Sequence, residues 1–206
     1  ELTIYRMSDM AYASEFDIRD ADGEVAIMLC KSTGGSTPPT PPEPEPVPEG
    51  AVKIGDQIWM AKNLDVDDGL GGIAVVDGNY YYTQEAAIRV ANSIDGWHLP
   101  TNAEFGALIN AAGDNAGLKL KSTTGWDQDG NGTDEFGFNA LPVGAVYYVD
   151  APTPQATSTS QEAYFRTSST TSTTVISVKL AYNSTSMTRM YGPLNDEHLG
   201  HSVRLI

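Results

Sequence analysis

Seven prolines fall within eleven positions, at Pro38, Pro39, Pro41, Pro42, Pro44, Pro46 and Pro48, interleaved with Thr and Glu. Each one fixes φ and removes a backbone donor, so residues 36–50 cannot join a helix or a central strand. They read as an extended, semi-rigid spacer rising ~3 Å per residue. The spacer divides the chain into a short segment at 1–35 and a domain at 51–206.

In the first segment, Phe16-Asp17-Ile18 and the apolar run from Val25 to Cys30 flank Asp20-Ala21-Asp22-Gly23, a good hairpin turn. Leu2 and Ile4 point to another strand. Three short strands make too small a sheet to stand alone. The segment is expected to be the tail of an upstream β-domain, or a sheet that needs a partner. Cys30 is the only cysteine, which excludes an internal disulfide and a cysteine-based zinc cluster.

The domain's clearest element starts at Thr101. Thr101 and Glu104 form a capping box, and Phe105, Leu108, Ile109 and Ala112 share one helical face before Gly113 ends it. This predicts a helix over 102–112. A second helix is predicted from the Thr83 cap to about Asn92. The hairpin 52–54/57–60 turns on Gly55-Asp56, 65–78 reads as a loop, and 80–82 reads as a strand. Residues 118–126 read as irregular, and 127–135 as an acidic loop. Further strands are expected at 145–149, 163–167, 174–182, 186–191 and 201–205, with a polar loop at 150–162. Strands, then helices, then strands make an α+β arrangement.

Charge excludes some partners. With 27 acidic and 12 basic residues the net charge is −15, too few cations to displace the counterions of a nucleic acid. No run of 18 apolar residues offers a membrane span. The opening Glu1 and the loop-rich, strand-rich composition are read as a processed or excised piece of an extracellular, cell-surface protein.

Several runs together resemble the Fibrobacter succinogenes major paralogous domain. They are Ile54-Gly55-Asp56-Gln57-Ile58-Trp59-Met60-Ala61-Lys62-Asn63-Leu64, Gly96-Trp97-His98-Leu99-Pro100-Thr101 with Glu104-Phe105, Leu118-Lys119-Leu120-Lys121, the stretch from Asn131 to Pro142, and Ser202-Val203-Arg204. One departure is Phe165-Arg166-Thr167-Ser168, where the family usually carries Trp-Ser-Ser. The resemblance implies a C-type-lectin-like fold with two helices and a mixed, mostly antiparallel sheet. It also implies that the first and last strands pair and that a long loop region lies opposite. The formylglycine-generating enzymes are similar in fold but need active-site cysteines, which 51–206 lacks, so no activity of that type is expected. The short β segment and spacer resemble the architecture of Bacteroidetes fimbrial tip subunits, with 1–35 as the tail of a fimbrillin-like domain. The polar C-terminal stretch resembles the variable proteins of diversity-generating retroelements.

Candidate sites follow. Asp127, Asp129, Asn131 and Asp134 alternate with glycine as in the start of an EF-hand, so they are a candidate calcium site. Phe138 stands where the closing bidentate Glu belongs, and a surface loop held by Asx-turns fits the same residues. Trp59 and Trp97 are expected in the core rather than as sugar platforms, with Trp126 open between the two. His98 is expected to be a structural histidine. A metal site from His198 and His201 lacks a positioned acidic partner. The ligand surface is expected over 182–198, from Tyr182, Asn183, Thr185, Arg189, Tyr191, Asn195, Asp196 and His198, with help from Tyr164 and Arg166. Tyr gives rigid amphipathic contact and the amides adapt their hydrogen bonds. The function expected is non-enzymatic binding of a glycan or a host or bacterial surface protein, as an adhesin or fimbrial tip head tethered through 1–35 to a neighbouring subunit. The alternative is a module that acts on polysaccharides.

Overall fold

The computed structural model describes residues 47–194 and 198–206. The expected strands of 1–35 and the spacer residues 36–46 lie outside the described residues. The described part is α+β: three helices with small antiparallel sheets.

The hairpin β1 (Ala51–Ile54) and β2 (Gln57–Met60) turns on Gly55-Asp56 as read, with Val52 opposite Trp59. A second hairpin, β3 (Ile73–Val76) and β4 (Asn79–Tyr82), occupies part of the expected loop. Its turn is Asp77-Gly78, both at positive φ, the backbone a two-residue hairpin turn requires. Helix α1 (Gln84–Ala91) follows, its first turn capped by the Thr83 side chain. Helix α2 (Asn102–Ala112) carries the predicted capping box and stops at Gly113, φ 71°. The short α3 (Ala116–Leu120) lies where an irregular run was expected.

After the two-residue strands β5 (Ala145–Val146) and β6 (Ala156–Thr157) comes the largest sheet. It has the order β7 (Glu162–Thr170), β8 (Thr174–Ala181), β9 (Thr188–Pro193). The register of β7 on β8 shifts between Arg166 and Thr170. That irregularity ties both long helices to the sheet. The Thr167 carbonyl accepts from Gln84 at 2.8 Å, and the Ser169 hydroxyl accepts the Asn102 N–H at the start of α2 at 2.9 Å.

The main core lies between α2, α3, the first hairpin and β7–β8. Trp59, Phe105, Phe138 and Phe165 pack there at ring separations of 5.0–6.3 Å. A second cluster sets α1 against Leu99, Val203 and Leu205. Trp126 is buried too, its indole N–H donating to Ser122 at 3.0 Å, whereas Trp97 is half-buried.

The expected C-terminal strand is not one ladder. Residues 200–202 make single bridges to Val146, Tyr82 and Phe165. Val203 and Leu205 then offer their carbonyls to the N–H groups of Leu64 and Met60, at 2.8 and 3.0 Å, and Ile206 exchanges two hydrogen bonds with His98. The ends of the domain meet, but through the end of β2 and the run after it rather than through β1.

Candidate functional site

Two of the expected ligand residues belong to a buried polar knot instead. Residues 162, 164 and 166 of β7 share one face with 177 and 179 of β8, as the register requires. Arg166 is 1% exposed. It donates to the Tyr82 carbonyl at 3.1 Å and also to the Leu199 carbonyl. Tyr164 is buried, stacks on His201 at 4.9 Å and donates its hydroxyl to Glu162. Glu162 pairs with Lys179 at 2.7 Å. Burial raises the carboxyl of Glu162, but Lys179 and Tyr164 outweigh it and hold the group below its ordinary range. The departure from Trp-Ser-Ser at 165–168 thus places a cation beneath the surface, where it joins β4 and β7 to the C-terminal run. Neither Arg166 nor Tyr164 reaches outward as expected.

His201 lies 3.1 Å from the Ser177 hydroxyl. Burial, reinforced by the Arg166 charge, holds its imidazole well below the ordinary value, hence neutral. Both residues are buried, so this serine–histidine contact offers no open face to a substrate. His201 is buried whereas His198 is exposed, and no group of three or more metal-ligating side chains forms among the described residues.

The expected surface at 182–198 is several places, not one. Tyr182 is half-buried against the main core, while Asn183 and Thr185 are exposed on the following turn. Arg189 and Tyr191 share a face of β9. Arg189 donates to the Asn102 side chain, while Tyr191 stands 63% exposed. Asn195 and Asp196 lie outside the described residues.

The acidic loop docks by its backbone. The N–H groups of Gly132, Thr133 and Glu135 donate to Ser122, Leu118 and Lys119 at 2.8–3.0 Å. A Cβ at Gly130 would collide with the Tyr182 carbonyl, and one at Gly132 with the carbonyls of Lys121 and Leu118. Close approach therefore accounts for the glycine spacing that imitates a calcium loop. The side chains are occupied as well: Asn131 accepts from Trp126 N–H at 3.0 Å, Asp134 from Asn139 N–H at 2.6 Å, and Asp127 from Gln161 at 3.4 Å. Asp129 is exposed at φ 59°. His98 is half-exposed yet structural, bonding Glu104 of the capping box at 2.8 Å.

Residues that the sequence reading passed over form the most site-like region. An open cleft of about 530 Å³ lies between the 70–72 loop, the first turns of α1, the end of β7 and Leu194. Thr83, Gln84 and Thr170 give it polar walls, and Leu70, Ile88 and Leu194 are its apolar lining. Arg89 lines it too, but its guanidinium is held by both carboxylate oxygens of Asp68, at 2.6 and 3.0 Å, and by the Gly71 carbonyl at 2.7 Å. Asp150 lies on the cleft and 3.7 Å from His198. The His198 ring in turn sits 5.9 Å from Tyr148. Tyr147 and Tyr148 are 58% and 68% exposed, a tyrosine ledge adjoining the cleft. No local signal marked the ledge: the successive Tyr81 and Tyr82 of β4 are both buried.

The described residues thus form an α+β frame closed by its own C-terminal run, with a cleft and an aromatic ledge on its surface. The model of the Fibrobacter succinogenes major domain family matches residues 52–206, and the chain belongs to that family. Neither a curated protein nor a solved structure matches it.

Proposed function

We propose that residues 51–206 are a non-enzymatic binding module of a secreted or surface protein, an adhesin or fimbrial tip head that recognises a glycan or a protein. The observation that carries this reading is the exposed tyrosine ledge on a stiff support. Tyr147 and Tyr148 follow β5, whose Val146 is fully buried and bridged to Gly200. Large rings held out by a rigid base give contact area at small entropic cost. The closed ends and the long loop-rich stretch between α3 and β7 also support a C-type-lectin-like reading of the fold. No helix of the described residues is long and apolar enough to cross a membrane.

The test replaces Tyr147 and Tyr148 by Ala and compares binding to glycan arrays and to cell surfaces. Loss of binding by about tenfold or more with an unchanged melting temperature is expected, as for interface tyrosines generally. Turnover of a polysaccharide by the unaltered chain would overturn the reading in favour of an enzyme.

A further inference from the structure

Leu70, Ile88 and Leu194 line one cleft and are 72%, 37% and 42% exposed. Three large aliphatic side chains left together in water mark a surface that is covered in use. Charge narrows what covers it. Glu85 and Asp150 line the same cleft, and the one cation among its described lining residues, Arg89, is already committed to Asp68 and Gly71. Glu85 stands exposed in the first turn of α1. The amino end of α1 is answered locally, by the Thr83 hydroxyl accepting from Ala86 N–H at 3.2 Å. The cleft is thus aliphatic at its rim and acidic in balance, with Glu85 and Asp150 set against the committed Arg89 and with the exposed His198 3.7 Å from Asp150. Among its described lining residues none is aromatic, so it lacks the flat ring that would cover the apolar face of a sugar.

We infer that this cleft takes a peptide segment of a partner protein in which a Lys or Arg is flanked by aliphatic residues. The inference rests on the binding-module reading and chooses protein over glycan for this part of the surface. The aliphatic side chains cover Leu70, Ile88 and Leu194, and the cation meets Glu85 and Asp150. A chain of net charge −15 also steers a basic segment toward it.

The probes are capped hexapeptides with Leu-Lys-Leu at their centre and the same peptides with Glu or Gln in place of Lys. Each is titrated against the full chain at low salt, with backbone amide shifts as the readout. The Lys peptide should saturate, move the amides of Gly71, Gly72 and Glu85, and bind at least about tenfold more tightly than the Glu peptide. The double variant Glu85→Gln, Asp150→Asn should lose that preference with its melting temperature unchanged, and Leu194→Ala should weaken the Lys peptide about fivefold. Equal affinity for the three peptides, no saturation by the Lys peptide at millimolar concentration, or a neutral oligosaccharide moving the same amides would each overturn the assignment. A glycan that binds only at Tyr147 and Tyr148, with no response to the Lys peptide, sinks the peptide assignment and leaves the binding reading standing. Hydrolysis of a polysaccharide removes both.

Discussion

Lys121 holds the carbonyls of Ala181, Tyr182 and Ser184 at 3.2–3.3 Å, much as a bound cation would, with the Trp126 ring 5.0 Å away. Replacing it by Met fills the space but takes a donor from the half-buried Tyr182 and Ser184 carbonyls, while the Ala181 carbonyl keeps the Ser184 N–H at 3.2 Å. Lys121→Met should cost about 3 kcal/mol in urea unfolding and speed hydrogen exchange across 181–186. Arg204, fully buried, plays the same part at the domain's closure. It donates to Met60 at 3.2 Å, to Phe138 and to Asn63, with its guanidinium 4.5 Å from the Phe138 ring. His201 gives a pH test. Its folded form stays neutral because burial keeps its pKa well below the ordinary 6.5. The unfolded chain takes up a proton there as pH falls through 6.5, so the stability tied to this group is complete above that pH. Below it, stability is lost at up to about 1.4 kcal/mol per pH unit. His201→Gln should flatten the fall in stability between pH 6.5 and 5 by about that slope. None of these burials was legible in the sequence, where Lys121, Arg166 and Arg204 look like ordinary surface charges. Their partners are carbonyls far along the chain, and a carbonyl leaves no mark in a sequence.

At the scale of elements, signals that a helix or hairpin carries within itself could be read, and signals that depend on a distant neighbour could not. The α2 boundaries follow from Thr101, Glu104 and Gly113, all local. Thr101→Ala should cost about 1 kcal/mol, measured as a shift in the urea midpoint. Helix α3 lacks a side-chain cap bond and is held from outside, with Leu118 N–H donating to the Thr185 carbonyl at 3.3 Å. Its Gly117 lies so near the 185–186 backbone that a Cβ would sit 2.7 Å from Ser186. Gly117→Ala therefore should destabilise by about 1–3 kcal/mol through overpacking, although helix propensity alone would give the opposite sign. The strand β3 was hidden by its Asp- and Gly-rich surroundings, yet Asp77-Gly78 was a usable hairpin signal. The acidic loop allowed two readings, because glycine at such positions serves close docking of the backbone as readily as an ion.

For the molecule as a whole, the last four residues complete the fold. Val203 and Leu205 are fully buried, each worth about 1.5–3 kcal/mol of apolar burial, and Arg204 lies between them. A chain ending at Ser202 should lose its cooperative melt, seen by near-ultraviolet circular dichroism. Closure of the domain was legible through the family resemblance, though the strand that meets the C-terminal run was not. The candidate surface was legible only as chemistry. Tyrosines and polar residues were expected outside, but which tyrosines stand out depends on how 145–150 and 198–202 lie across β7.

The bond that joins Arg204 to Met60 spans 144 positions of sequence. A ribosome threads out the earlier partner long before the later one exists. Until residues 203–206 emerge, Phe138 and Phe165 must wait without the Arg204 guanidinium that lies over them. Such a chain is at its most vulnerable while still being made or moved, and helpers that shield nascent polypeptides would matter more to its yield than the strength of the finished fold.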